Sequence, residues 1–356
     1  MKTKYQVIDL NHYTEADLAE AGRIICEGGL VAFPTETVYG LGADALQEEA
    51  ARKIYAAKGR PSDNPLIVHI TKMEDLEALA EEVPECARKL AEAFWPGPLT
   101  MVFPKKPAVP YGTTGGLDTV AVRMPSHPLA RDLIRVSGRF LAAPSANASG
   151  RPSPTRASHV KDDLDGRIDM ILDGGEVNIG LESTVVDVTG EVPTILRPGY
   201  VTQEMMQRVV GRVEIDRAIL EENVDRHFVP KAPGMKYRHY APKGSLTVVE
   251  GEEEAVIREI CRLAEEGVKA GKRVGIIATE ETAGRYPAGM VRVIGSRADE
   301  ESVAHGLFAI LREFDDLEAQ LIYSEGFGEQ GLGRAIMNRL LKAAGHQVIT
   351  AGGEKV

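Results

Sequence analysis

Apolar positions in residues 14–28 recur at helical spacing and predict an amphipathic helix. Thr14 stands at its start with Asp17 three residues on, a capping-box variant, and Gly28-Gly29 ends it. Short apolar runs then predict strands over 30–33, 66–70, 100–103, 119–124, 141–143, 170–173 and 183–187. Helical stretches over 48–57, 74–94 and 127–137 fall between them. The result is a mixed α/β layer structure of about 200 residues, a twisted mixed sheet with helices packed on it.

The pattern breaks at residues 221–244. The string Lys231-Ala232-Pro233-Gly234-Met235-Lys236-Tyr237-Arg238-His239-Tyr240-Ala241-Pro242-Lys243-Gly244 has no apolar period and no acid. Prolines and glycines bracket it, as in a linker. Two tyrosines, a histidine and four cations make it unlike an inert linker and suit it to folding over a site. From Ser245 a second pattern runs: strands 245–249, 274–278, 291–294, 321–323 and 347–350, with helices 252–270, 300–318 and 333–344. Regular alternation predicts a small parallel sheet with helices on both faces, a Rossmann-like arrangement. The expected domains are 1–220, a linker at 221–244, and 245–356.

The chain has 356 residues, enough for two domains, and 43% of them are hydrophobic. Its net charge of −11 argues against a generic nucleic-acid coat. The charge is unevenly spread. Residues 101–158 carry eight Lys or Arg against two acids, while residues 251–350 carry 12 against 17. Cys26, Cys86 and Cys261 lack metal-ligand spacing and are expected to be buried small hydrophobes in a reducing compartment. No signal core and no long apolar span occurs, so a soluble cytoplasmic protein without membrane contact is expected.

Two separated strings suggest chemistry. Lys58-Gly59-Arg60 closes a helix and leads into Pro61-Ser62-Asp63-Asn64-Pro65, and Ser145-Ala146-Asn147 lies in a small-residue loop. Two cations with hydroxyl and amide donors suit a polyanion such as a nucleotide triphosphate. The same cations also complement a helix dipole. The run Phe33-Pro34-Thr35-Glu36-Thr37-Val38-Tyr39-Gly40-Leu41-Gly42 lets a ligand approach backbone closely, or else is an ordinary strand-to-helix turn. His69 reads as a core histidine or a ligand contact. Arg123 and Arg197 each end an apolar strand, where an unpaired guanidinium is costly, so each wants an anion. The only tryptophan, Trp95, reads as packing.

Gly326-Phe327-Gly328-Glu329-Gln330-Gly331 fits a dinucleotide fingerprint between a strand and a helix, but no ribose-binding acid follows about 20 residues later. A tight turn is the better reading, with regulatory nucleotide binding as an alternative. The sequence lacks a P-loop, a Gly-x-Ser-x-Gly elbow, Cys-x-x-Cys and His-Glu-x-x-His. A catalyst of this kind works by positioning and charge stabilisation.

Taken together, these strings resemble the threonylcarbamoyl-AMP synthases, in the long form with a YrdC-type catalytic domain and a C-terminal Sua-type domain. The resemblance also covers Phe94-Trp95-Pro96-Gly97-Pro98-Leu99-Thr100, Glu182-Ser183-Thr184-Val185, Leu196-Arg197-Pro198-Gly199 and the linker from Pro233 to Pro242. It implies synthesis of L-threonylcarbamoyl-adenylate and pyrophosphate from L-threonine, bicarbonate or carbon dioxide, and ATP. The product would serve the threonylcarbamoyl modification of adenosine beside the tRNA anticodon, with partner proteins making the transfer and at most weak tRNA contact by this chain.

By the same resemblance, threonine would be held by Thr35, His69, Arg123, Ala143 and Ser183. ATP would be held by Lys58, Arg60, Ser62, Thr119, Ser145, Asn147, Ser153, Arg197 and Tyr237. Lys58 and Arg60 would stabilise charge during transfer, and Mg2+ would be bound through the phosphates with no protein ligand. The competing reading is an RNA-binding module built on the cationic stretch 101–158, with incidental nucleotide binding. Its aromatics are few: Phe103, Tyr111 and Phe140.

Overall fold

The computed structural model describes residues 2–220 and 239–352, which fall into two compact units. Residues 2–149 and 153–220 form the first unit, and residues 150–152 and 239–352 the second.

The first unit runs β1 (Lys4–Val7), α1 (Glu15–Cys26), β2 (Val31–Pro34), β3 (Tyr39–Asp44), α2 (Glu48–Lys58), β4 (Ile67–His69), α3 (Leu76–Leu79), α4 (Glu85–Phe94), β5 (Leu99–Pro104), α5 (Tyr111–Thr114), β6 (Thr119–Arg123), α6 (Pro128–Ser137) and β7 (Leu141–Ala142). It continues with α7 (Ala157–Leu164), β8 (Met170–Asp173), β9 (Thr184–Asp187), β10 (Thr194–Arg197), α8 (Gln203–Val210), β11 (Glu214–Ile215) and α9 (Arg217–Leu220). Helix α1 starts as its sequence predicts, with the Thr14 N–H donating to the Asp17 carboxylate at 2.8 Å. Leu18, Ala21 and Ile25 bury its apolar stripe.

The strands form one mixed sheet in the order β1-β8-β2-β3-β7-β4-β6-β5-β9-β10-β11. Strand alternation divides its central part into two faces. Val68, Val120, Val122, Met101, Phe103, Val186 and Ile195 enter the main core. On the other face Ile67, Val102, Ala121, Val185 and Leu196 form a small separate apolar cluster. His69, Arg123 and Thr100 continue that second face two residues along their strands.

Three sequence expectations change here. The 74–94 helix is broken: a 3₁₀ turn at Met73–Asp75 and α3 precede α4, whose N-cap is Pro84. A proline there has no N–H and disfavours helix in the residue before it. Residues 33–42 are not a strand-to-helix turn but an antiparallel hairpin of β2 and β3, with Phe33 opposite Gly40 and Pro34 opposite Tyr39. Gly42 is required by this pairing, since a Cβ there would lie 2.6 Å from the Phe33 ring. The cysteines are free, as expected, but none is buried: Cys26 is exposed, and Cys86 and Cys261 are half-buried.

The second unit contains β12 (Ser245–Glu250), α10 (Glu253–Lys269), β13 (Val274–Ala278), β14 (Met290–Val293), α11 (Glu300–Asp316), β15 (Leu321–Glu325), α12 (Gly333–Ala344) and β16 (Val348–Thr350). Its strands are all parallel, in the order β14-β13-β15-β12-β16. Helices cover both faces. Ile276 packs with Ile257 and Ile260 of α10. A Cβ on its neighbour Gly275 would instead meet the ring of Phe314 on α11 at 2.5 Å.

Candidate active site

Backbone pairing fixes one transverse row. His69 on β4 stands opposite Arg123 on β6, Arg123 opposite Thr100 on β5, Thr100 opposite Val185 on β9, and Val185 opposite Arg197 on β10. Opposite residues share a face, so His69, Arg123 and Thr100 line up beyond the small apolar cluster, and a register shift between Ile195 and Arg197 breaks the alternation of β10 where the Arg197 guanidinium joins them.

Hydrogen bonds link this row to its neighbours. Thr35 and Thr37 share a 2.8 Å hydroxyl contact, and Arg123 Nη1 donates to Thr37 Oγ1 at 2.9 Å. Thr100 and Ser183 hydroxyls are 2.8 Å apart, and Arg197 Nη2 donates to Ser183 Oγ at 3.1 Å. Arg197 also donates to the Ser183 carbonyl through Nε and Nη2. Thr35, Thr37 and Arg123 therefore form one hydrogen-bonded group and Thr100, Ser183 and Arg197 a second, and the two are set side by side by the pairing of Arg123 with Thr100. The Ala143 N–H donates at 2.9 Å to Ile67 O, the carbonyl that also faces His69 Nδ1.

Arg123 already has an anion in the chain. Its Nη2 is 2.7 Å from Glu36 Oε1, with both side chains almost fully buried. Burial by itself raises the Glu36 carboxyl, but the Arg123 guanidinium together with the Glu36 and Ser126 backbone N–H groups outweighs that and holds it below the usual carboxylate range. Burial, with Arg123 adjacent, pushes the His69 imidazole down to about 3. His69 is thus neutral at neutral pH. Its Nδ1 lies 3.1 Å from Ile67 O, a carbonyl that can only accept, which favours the tautomer with the proton on Nδ1.

The Lys58 ammonium is buried and bound to the other string. It donates to Asn147 O at 2.6 Å, to Asn147 Oδ1 at 3.3 Å and to Ser145 O. Ser145 Oγ donates to Asn147 Oδ1 at 2.5 Å. Ser145 also bridges to Gly40, which ties this loop to the β2–β3 hairpin. Lys58 reaches the loop because α2 ends there, with Gly59 in the left-handed region at φ 63°. Arg60 is held in its own loop by Pro65 O at 3.0 Å and Asn64 O at 3.3 Å. Ser153 is buried and donates to Glu182 Oε1 at 2.5 Å. Ser62 is exposed, and half-buried Thr119 lies on the same face as Arg123 at the far end of β6. Tyr237 lies outside the described residues.

The structure thus joins Thr35 to Arg123 through Thr37, joins Ser183 to Arg197, sets His69 beside Arg123, and joins Lys58 to Ser145 and Asn147. Glu36, Thr37, Thr100 and Glu182 belong to the same surroundings but were not singled out from sequence. For Glu36 a signal existed: it is the only acid in a small, hydroxylated run, and Arg123 lacked an anion. Trp95 packs as expected, with Nε1 donating to Leu99 O at 2.6 Å. Among the described residues no group of three or more His, Cys, Asp or Glu is placed to hold a metal ion, and no helix is long and apolar enough to cross a membrane.

Comparison with known proteins adds independent findings. A family model described as telomere recombination, covering Sua5, YciO and YrdC, matches residues 23–199. A model of the threonylcarbamoyl-AMP synthase C-terminal domain matches residues 201–345. The chain is 50% identical over 353 residues to a Bacillus subtilis threonylcarbamoyl-AMP synthase, covering 98% of this chain and 100% of that one. It is 52% identical over 329 residues to the Pyrococcus abyssi threonylcarbamoyl-AMP synthase, covering 92% and 94% of the two chains. The crystal structure of P. abyssi Sua5 complexed with L-threonine superposes with a TM-score of 0.91 at 48% identity, covering 99% of this chain and 100% of that one.

Proposed function

We infer the roles of these residues from one premise: the chain belongs to the threonylcarbamoyl-AMP synthase family. It makes L-threonylcarbamoyl-adenylate and pyrophosphate from L-threonine, bicarbonate or carbon dioxide, and ATP. The threonine amine and carbon dioxide form a carbamate. A carbamate oxygen attacks the α-phosphorus, the bond to the α,β-bridging oxygen breaks, and pyrophosphate leaves.

In our reading threonine lies over the transverse row. Arg123 takes its carboxylate, and Thr35, Ser183, the His69 imidazole and the Ala143 backbone fix its amine and hydroxyl. The observation that carries this reading is the pairing of Arg123 with Thr100, which sets the Thr35-Thr37-Arg123 group beside the Thr100-Ser183-Arg197 group on adjoining strands. A neutral His69 suits a site that must receive an amine without adding to its positive charge. We assign ATP to Lys58, Arg60, Ser62, Thr119, Ser145, Asn147, Ser153 and Arg197. Lys58 and Arg60 would offset charge on the phosphates as the pentavalent centre forms. We place Mg2+ on the triphosphate oxygens, with no protein carboxylate as ligand.

We take residues 1–220 as the catalytic domain, 221–244 as a linker that closes over ATP through Tyr237, and 245–356 as the C-terminal domain. The linker role rests on its tyrosines and cations alone. We further place the reaction in the cytoplasm, with partner proteins passing the threonylcarbamoyl group to tRNA. Nothing favours the RNA-binding alternative. Several cations of the basic stretch are committed to carboxylates: Arg135 to Asp132, Arg139 to Asp44 and Arg156 to Glu176.

The test is pyrophosphate release from ATP with and without threonine and bicarbonate. Release that needs both supports the assignment. Release indifferent to both would point to another use of ATP.

A further inference from the structure

The second unit contains a cavity whose lining includes none of the residues assigned to the synthase reaction. It lies where the sheet changes direction. Strand β12 leads through α10 to β13, on one side of it, while the adjacent β15 leads through α12 to β16, on the other. The connections leaving these neighbouring strands run to opposite faces of the sheet, α10 on one and α12 beside α11 on the other, and a crevice opens outside their carboxyl ends. In open α/β sheets this is where ligands bind. A cavity of about 350 Å³ fills the crevice, within the range of small-molecule sites.

Its walls define a chemistry. Val256 and Ile257 of α10 make it apolar on one side, and Phe327 supplies an aromatic ring. The Arg297 guanidinium lies 5.3 Å from that ring and donates to Gly326 O at 3.1 Å and Glu325 Oε2 at 2.5 Å. Glu325 is almost fully buried and also accepts from Tyr286 Oη at 2.6 Å and from Thr282 Oγ1. These bonds hold Arg297 in place as a planar surface. Glu250, Glu253 and Glu329 add three more carboxylates to the lining.

Phe327 belongs to the glycine string that resembles a dinucleotide fingerprint, yet the place for a pyrophosphate is taken. The N–H of Gly333, the first residue of α12, donates to the Glu300 carboxylate at 3.1 Å. The start of α10 is likewise capped by its own carboxylate, Glu252, which accepts from the Ala255 N–H at 3.2 Å. With both helix starts occupied and four lining carboxylates facing one committed guanidinium, a phosphate would be repelled. A flat ring is suited to the Phe327 and Arg297 surfaces, and sugar hydroxyls are suited to the carboxylates.

We propose that the crevice between the carboxyl ends of β12 and β15 is a second small-molecule site, which takes a nucleoside carrying no phosphate. The full-length chain with Lys58→Met, which disables the proposed ATP site, is titrated calorimetrically with adenosine, guanosine, cytidine and uridine, then with AMP and spermidine. At least one nucleoside should saturate. Its monophosphate should bind at least about tenfold more weakly, as should the nucleoside itself to half-buried Phe327→Ala, from lost base stacking. Exposed Glu253→Gln, which leaves the fold untouched, should also weaken the nucleoside while threonylcarbamoyl-adenylate synthesis in an otherwise unaltered chain stays the same. Failure of every nucleoside to saturate, binding of AMP as tight as of adenosine, spermidine binding in their place, or nucleoside binding unaffected by both substitutions would overturn the proposal.

Discussion

Arg123 Nη2 and Glu36 Oε1 lie 2.7 Å apart, with both side chains almost fully buried. The pair is held by charge and position, while Thr37 fixes the other end of the guanidinium at 2.9 Å. The guanidinium is thereby fixed from two sides within the chain itself.

Arg123→Lys is expected to keep the charge and lose the fork. Threonine KM should rise far more than ATP KM, with the fold intact. Arg123→Ala leaves Glu36 alone and should cost roughly 3–5 kcal/mol in stability, as removing one partner of a buried pair does. Threonine-dependent pyrophosphate release and urea denaturation read the two effects separately. An unchanged threonine KM in Arg123→Lys would remove the carboxylate role.

Lys58→Met should lower kcat on the order of 10²–10³-fold, the size expected when one preorganised charge donor is lost. Lys58→Arg should not restore it. A compact ammonium serves the Ser145 and Asn147 acceptors from a buried helix end, and a planar guanidinium cannot point its donors the same way. Steady-state pyrophosphate release, with melting curves to verify folding, decides this. Near-normal turnover in either variant contradicts the assignment for Lys58→Met, or its geometric basis for Lys58→Arg.

His69 makes stability depend on pH in a defined direction. The unfolded chain takes up this proton near pH 6.5, while the folded chain refuses it until about 3. Its contribution is complete above about pH 6.5 and is lost as pH falls towards 3, by up to ~1.4 kcal/mol per pH unit. Urea midpoints compared near pH 7 and pH 5 should fall less in His69→Gln than in the parent. Equal falls would show that His69 is charged in the folded chain.

Deleting residues 231–243 should abolish adenylate synthesis while the catalytic domain remains folded, because ATP and carbamate would stay open to water. Circular dichroism checks the fold, and pyrophosphate release checks the chemistry. Near-normal activity in the deletion ends the closing role of the linker.

Legibility from sequence followed the range of the forces involved. Helix α12 and strand β13 have the bounds their periodicity predicts, since caps and alternation are local signals; Gly345 ends α12 at φ 60°. Strand β3 was hidden by Gly40 and Gly42, which weaken a strand on their own and are tolerated because Phe33 packs across them. Helix α8 had a readable start, with Thr202 Oγ1 accepting from the Met205 N–H at 3.3 Å, but the following apolar pattern is short. The site residues were legible as residue types wanting partners. Which partner each has was not: Arg123 meets Glu36 across 87 positions of sequence only because hairpin and strand register place them together.

The alignment of His69, Arg123, Thr100 and Arg197 makes the sheet a ruler. Four inter-strand steps of about 4.8 Å set a span of roughly 19 Å from the first to the last. Backbone pairing marks its graduations, so repacking the core cannot retune them. An enzyme of this design can change its reach only through side-chain length or loop shape. A one-residue slip of a strand would not shift a mark slightly but turn that strand's contribution to the opposite side.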